Sequence, residues 1–160
     1  MTESLKEDSK PRRSVPRVAL LILAALAIVP ALATAQTAPA TTAGCQQGAG
    51  FLCLNGGRFQ VNANWTNPDG TNGAGTAVSL TDDSGYFWFF NAANIEMVVK
   101  VLNGCGINNA YWVFAAGLTT VQVNWQVVDT QNNVTYTQVN PQGTAFAPIQ
   151  ATNAFPTSCP

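Results

Sequence analysis

The stretch DDSGYFWFFNAANIEMVVKVLNGC, residues 82–105, decides the fold. Five consecutive aromatics, Tyr86 to Phe90, and a β-branched run, Val98, Val99 and Val101, lie between turn-forming clusters. Outside the N-terminus nothing else is as apolar, so neighbouring segments must cover it or the chain would aggregate. Glu96 and Lys100 stand at the i,i+4 spacing of a helix, but three valines in four positions over so short a segment favour a strand. Both halves therefore read as core strands. Because a strand has two faces, five aromatics in a row populate both, and the face turned from the core needs a cover or a ligand.

The flanking sequence supplies partners for these strands. Phe59, Val61, Ala63 and Trp65 alternate with Arg58, Gln60, Asn62 and Asn64, and Val121, Val123, Trp125 and Val127 alternate with Gln122, Asn124 and Gln126. Asn67-Pro68-Asp69-Gly70 opens a Gly/Asn-rich loop to Gly75, and short strands follow at Thr76–Leu80, Tyr111–Ala116 and Val134–Val139, the last after an Asn132-Asn133 turn. The tail from Asn140 to Pro160 reads as extended coil or one edge strand. About seven strands at this spacing predict an all-β fold, an antiparallel β-sandwich of immunoglobulin-like size, with a barrel as the alternative. Trp65, Trp88, Trp112 and Trp125 read first as core side chains.

Residues 1–35 read as a signal peptide: a basic start, an apolar run from Val18 to Val29, and Ala33-Thr34-Ala35 at a cleavage position. The run spans about 18 Å, short of the roughly 30 Å of a bilayer core, so no stable membrane insertion is expected after cleavage. Arg12-Arg13 lacks the surroundings of a twin-arginine signal, and Cys45 lies too far past the apolar run for a lipid-modified cysteine. Residues 36–44 read as a Thr/Ala/Pro-rich linker and residues 45–160 as a single domain. Residues 36–160 carry two basic and five acidic side chains, a net charge of −3, which disfavours nucleic acid as a partner. The expected location is secreted, extracellular or periplasmic.

Four cysteines and no histidine in an exported chain predict disulfides rather than a metal site. Four cysteines permit three connectivities. Position favours Cys45 with Cys53, closing a small Gly-rich loop, and Cys105 with Cys159, holding down the Pro-rich tail. The lack of histidine excludes Ser-His and Cys-His catalysis. Of the carboxylates, Asp82, Asp83 and Glu96 are the candidates for paired acid–base work, but adjacent Asp82 and Asp83 point apart in an extended chain. No catalytic residue, cofactor or metal is expected. The Asn67, Asp69, Thr71 and Asn72 oxygens suit calcium, yet they are equally what a turn requires. Arg58, Lys100 and Glu96 read as solvated charges, with weak cross-strand pairing to Glu96 at most.

LCLNGGRF (52–59), GYFWFFN (85–91), EMVVKVLNGC (96–105) and YWVF (111–114) together resemble an uncharacterised module of exported bacterial proteins. The resemblance covers nearly all of residues 45–160 and implies no activity. The expected function is a non-catalytic module with a structural or protein-interaction role at the cell exterior. The alternative is a carbohydrate-binding module whose exposed aromatics stack on sugar rings. Tyr86, Trp88, Phe90 and Trp112 are the candidate binding residues, and the partner is an extracellular protein or glycan.

Overall fold

The computed structural model describes residues 44–160, so the signal peptide and nearly all of the linker expected from sequence lie outside the described residues. Among the described residues ten strands form two antiparallel sheets. The first holds β1 (Leu52–Leu54), β2 (Phe59–Thr66), β3 (Asn72–Ala74), β8 (Gln122–Asp129) and β9 (Val134–Asn140), in the order β1-β2-β8-β9 with β3 on the free end of β2. The second runs β10 (Ile149–Phe155), β7 (Tyr111–Gly117), β6 (Met97–Asn103), β5 (Ser84–Trp88), β4 (Thr76–Ser79). The sheets do not join into a barrel. The count exceeds the seven expected by three, the tail strand β10 and the three-residue strands β1 and β3, which β2 recruits. β3, Asn-Gly-Ala, has no strand propensity and lies inside the segment read as a loop; pairing with β2 overrides composition there. The tail supplies an edge strand, β10.

Alternation sets the core. Phe59, Val61 and Ala63 on β2 and Val123, Trp125 and Val127 on β8 face Phe87, Met97, Val99, Val101 and Val113 of the second sheet. Phe146 and Phe155 complete it from the tail, and the Phe146 ring lies so close over Gly117 that no side chain fits there. Trp125 is the one tryptophan of the core, 1% exposed; Trp65, Trp88 and Trp112 are only partly buried, contrary to the first reading of all four. The aromatic run is also a shorter strand than expected. β5 ends at Trp88, and Phe89 and Phe90 turn away in a bend.

Cys45 is joined to Cys53 and Cys105 to Cys159, with Cα–Cα distances of 5.5 and 5.6 Å. Cys105 opens a single helical turn, α1 (Cys105–Asn108), where no helix is expected from sequence. Among the described residues no helix is long and apolar enough to cross a membrane.

The reading of Arg58 as a solvated charge is overturned. Its guanidinium grips the carboxylate of Asp129, with Nε to Oδ1 at 3.1 Å and Nη2 to Oδ2 at 2.8 Å. It also donates to the Tyr111 hydroxyl at 3.1 Å and to the Ser158 carbonyl, and lies over the Tyr111 ring at 4.5 Å. Asp129 is wholly buried and Arg58 only 12% exposed. The pair ties β2, β7, β8 and the tail together at the disulfide end of the sandwich. Glu96, also read as exposed, is 4% exposed and accepts from the Asn94 amide.

Candidate functional site

The outer face of the second sheet is the candidate site. Period-two alternation turns Phe87, Val99 and Val113 inward, which leaves Tyr86 and Trp88 on β5, Val98, Lys100 and Leu102 on β6, and Trp112, Phe114 and Ala116 on β7 facing away from the core. Register makes them neighbours: Tyr86 pairs with Val98 and Val98 with Ala116, while Lys100 stands opposite Phe114 and Leu102 opposite Trp112. Tyr86, Trp88, Trp112 and Phe114 are half-buried, and Val98 is 39% exposed. Among the described residues the tail joins this sheet at its edge, as β10 beside β7, and Pro148 and Ile149 border the face. A groove of about 340 Å³ crosses it, lined by Leu80, Val98, Phe114, Pro148 and Ile149, with Lys100 its one charge among the described residues.

One aromatic is locked in place. Trp112 Nε1 donates to Asn108 Oδ1 at 2.7 Å, and Asn108 Nδ2 in turn donates to the Thr152 carbonyl at 2.7 Å. The indole packs directly on Gly104, where a Cβ would overlap it. Gly104→Ala is therefore expected to displace Trp112, with a loss of about 1–3 kcal/mol from overpacking and a changed near-ultraviolet circular dichroism signal. An unchanged spectrum and melting temperature would contradict this contact.

Of the four candidate aromatics, the structure brings Tyr86, Trp88 and Trp112 to one face and removes Phe90. Phe90 sits past the end of β5, 48% exposed, with its ring edge-on to Trp65 at 4.8 Å and to Phe89 at 6.1 Å. The bend after Trp88 breaks the alternation that would have kept it in the row. Trp112 and Phe114 meet at 70° with centroids 6.3 Å apart, an edge-to-face pair rather than a flat platform. Val98, Leu102 and Phe114 were not among the sequence candidates. Their signal was present in strands apolar at consecutive positions, the pattern of a sheet with two apolar faces.

The acidic candidates hold turns. Asp82 Oδ1 accepts from the Gly56 amide at 2.9 Å, and Asp83 Oδ1 from Thr81 Oγ1 at 2.6 Å. In the loop considered for calcium, Asp69 Oδ1 accepts from the Thr71 hydroxyl at 2.7 Å and the Thr71 amide at 2.9 Å. Those bonds draw the Asp69 carboxyl below its ordinary range, and the oxygens are directed into the turn. Among the described residues no three His, Cys, Asp or Glu side chains gather as metal ligands would.

No protein-family model, curated protein or solved structure matches the chain. The site is therefore read from its own chemistry: an apolar, aromatic-edged sheet face that carries Lys100.

Proposed function

We propose that this is an exported, non-catalytic β-sandwich module that docks an extracellular partner protein through the outer face of its second sheet. The observation that carries the reading is that face itself, turned from the core and built from Tyr86, Trp88, Val98, Leu102, Trp112 and Phe114 around Lys100. A contiguous apolar patch with fixed aromatics marks an interaction surface, and a locked Trp112 loses little conformational freedom on binding. Export is supported by the two disulfides, which persist in oxidising compartments, and by the leader-like residues 1–35. N-terminal sequencing of the mature protein is expected to begin at Gln36; an intact Met1 or an acylated Cys45 would contradict export in this form.

The half-buried Tyr86, Trp88 and Trp112, aligned on one face, favour a second reading, a glycan stacked there. Two features support the protein reading over it. The groove is mainly aliphatic, and the Trp112–Phe114 pair is edge-on, whereas sugar rings stack on an open aromatic plane.

The test is site-specific photo-crosslinking in the native host. A crosslinker at position 98 or 114 is expected to capture a discrete protein, while one at Asn124 on the opposite sheet does not. Trp112→Ala should weaken that association by about tenfold or more with a fold that still melts cooperatively. Saturable binding on a glycan array, abolished by Trp112→Ala, would replace this reading with the glycan one.

A further inference from the structure

We propose that β9 is a self-pairing edge, through which two copies of this chain join their first sheets into one continuous sheet. This goes beyond the partner face above, which lies on the other sheet.

Natural sheets blunt their edges with short strands, bulges, charges, proline or a cover, because an open edge presents unpaired backbone groups to any passing strand. Three of the four edges here follow that rule. β1 and β3 have three residues each, and β1 is stapled at Cys53. β4 has four residues, and its Ala77 amide is already bonded to the Ala49 carbonyl. β10 shifts register between Ala151 and Phe155. β9 does none of this. Its seven residues, VTYTQVN, contain no charge, proline or glycine, and pair with β8 in unbroken register from Asp129 opposite Val134 to Val123 opposite Asn140.

The free groups can be assigned. The Thr130 amide bonds the Arg58 carbonyl of the β2 side, so by alternation Asp129, Val127, Trp125 and Val123 direct their backbone bonds to β9. Val134, Tyr136, Gln138 and Asn140 answer them, which leaves the N–H and C=O of Thr135, Thr137 and Val139 pointing outward. Among the described residues none of these backbone groups has a hydrogen-bond partner.

The occupant that fits is a second copy. Antiparallel pairing about a two-fold axis sets the strand against its own sequence, so a charge on the axis would meet its own copy and be repelled, and β9 has no charge at any position. With the axis at Thr137, that residue faces its own copy, Thr135 faces Val139 and Tyr136 faces Gln138. Threonine and β-branched pairs of this kind stabilise sheets, and about six backbone hydrogen bonds would form.

Sedimentation equilibrium on the purified protein tests this, with Thr137→Lys, Thr137→Glu and their equimolar mixture. Thr137 is exposed, so both variants should keep the wild-type circular dichroism and melting temperature of the monomer. The expected result is a reversible wild-type dimer, about fivefold weaker association in each variant alone from like charges across the axis, and recovery in the mixture. Hydrogen exchange at the amides of 135, 137 and 139 should slow as concentration rises. A wild-type protein that stays monomeric at its highest soluble concentration would overturn the proposal. So would a dimer indifferent to both variants, or one whose exchange protection lies elsewhere.

Discussion

Asp129→Asn is expected to lower folding stability by about 3 kcal/mol, the low end for breaking a buried ion pair. The low end applies because Arg58 keeps 12% exposure and two remaining acceptors, the Tyr111 hydroxyl and the Ser158 carbonyl. The loss comes from stranding a guanidinium in a site built for a carboxylate. It is compounded by the turn 129–132, whose Gln131 amide and Asn132 side-chain amide donate to the same carboxylate at 3.1 and 3.0 Å. Urea denaturation at neutral pH measures it, and a loss under about 1 kcal/mol would reduce the cluster to the level of a surface pair.

The same pair gives stability a pH signature. Burial pushes the Asp129 carboxyl upward; the Arg58 hydrogen bonds, the Arg58 charge and the Gln131 amide outweigh it and hold the group below the ordinary carboxylate range. The Ser158 hydroxyl lies close enough to act in the same direction, although its geometry falls short of a hydrogen bond. A folded pKa below the unfolded one means the contribution is fully present above the unfolded value, about 3.9, and is lost as pH falls through the folded value. Arg58 is raised by its bonds to Asp129 and stays charged throughout that range. The melting temperature of the wild type should therefore fall below about pH 4, and the difference between it and Asp129→Asn should shrink there. A difference that grows on acidification would reverse the sign of this linkage.

Replacing Cys105 and Cys159 together with serine is expected to cost about 4 kcal/mol, against about 2–3 for Cys45 and Cys53. The bridges close loops with sequence separations of 54 and 8, and the chain-entropy model makes the longer loop the more stabilising. The structure adds a further reason for the asymmetry. The tail held by Cys159 carries Phe155 into the core, its ring 5.2 Å from that of Phe59, and brings the Ser158 carbonyl to Arg58. Releasing it loosens both. For a domain whose whole stability is of the order of 5–15 kcal/mol, this double serine variant combined with Asp129→Asn should not fold cooperatively. The two double serine variants compared by thermal melting decide the order, and equal losses would mean that the tail stays docked without its bridge.

Much of the architecture was legible because it rests on local periodicity. Alternation in Phe59–Trp65 and Val121–Val127 reports a half-buried strand whatever its neighbours are, and it placed Val61, Val123, Trp125 and Val127 in the core. The valines at 98, 99 and 101 overruled the helical spacing of Glu96 and Lys100, and β6 formed. Cysteine number and position pointed to the two bridges. The candidate face was half legible: Tyr86, Trp88 and Trp112 were in view, but Phe90 belongs to the sandwich end and Phe114 was passed over.

By itself, then, the sequence determined the all-β class, the main strands, an even set of cysteines placed for two bridges, and the excess of aromatics that one core could not absorb. Tertiary structure alone decided which of those aromatics face outward, that Arg58 joins Asp129 across 71 positions of chain, that Asn72–Ala74 becomes a strand, and that β9 lies at a sheet edge. The physical reason is range. Side-chain alternation is written within a few residues of backbone, whereas the partner of a charge, the cover of a sheet face and the neighbour of an edge strand are fixed only when segments distant in sequence compete for the same surface.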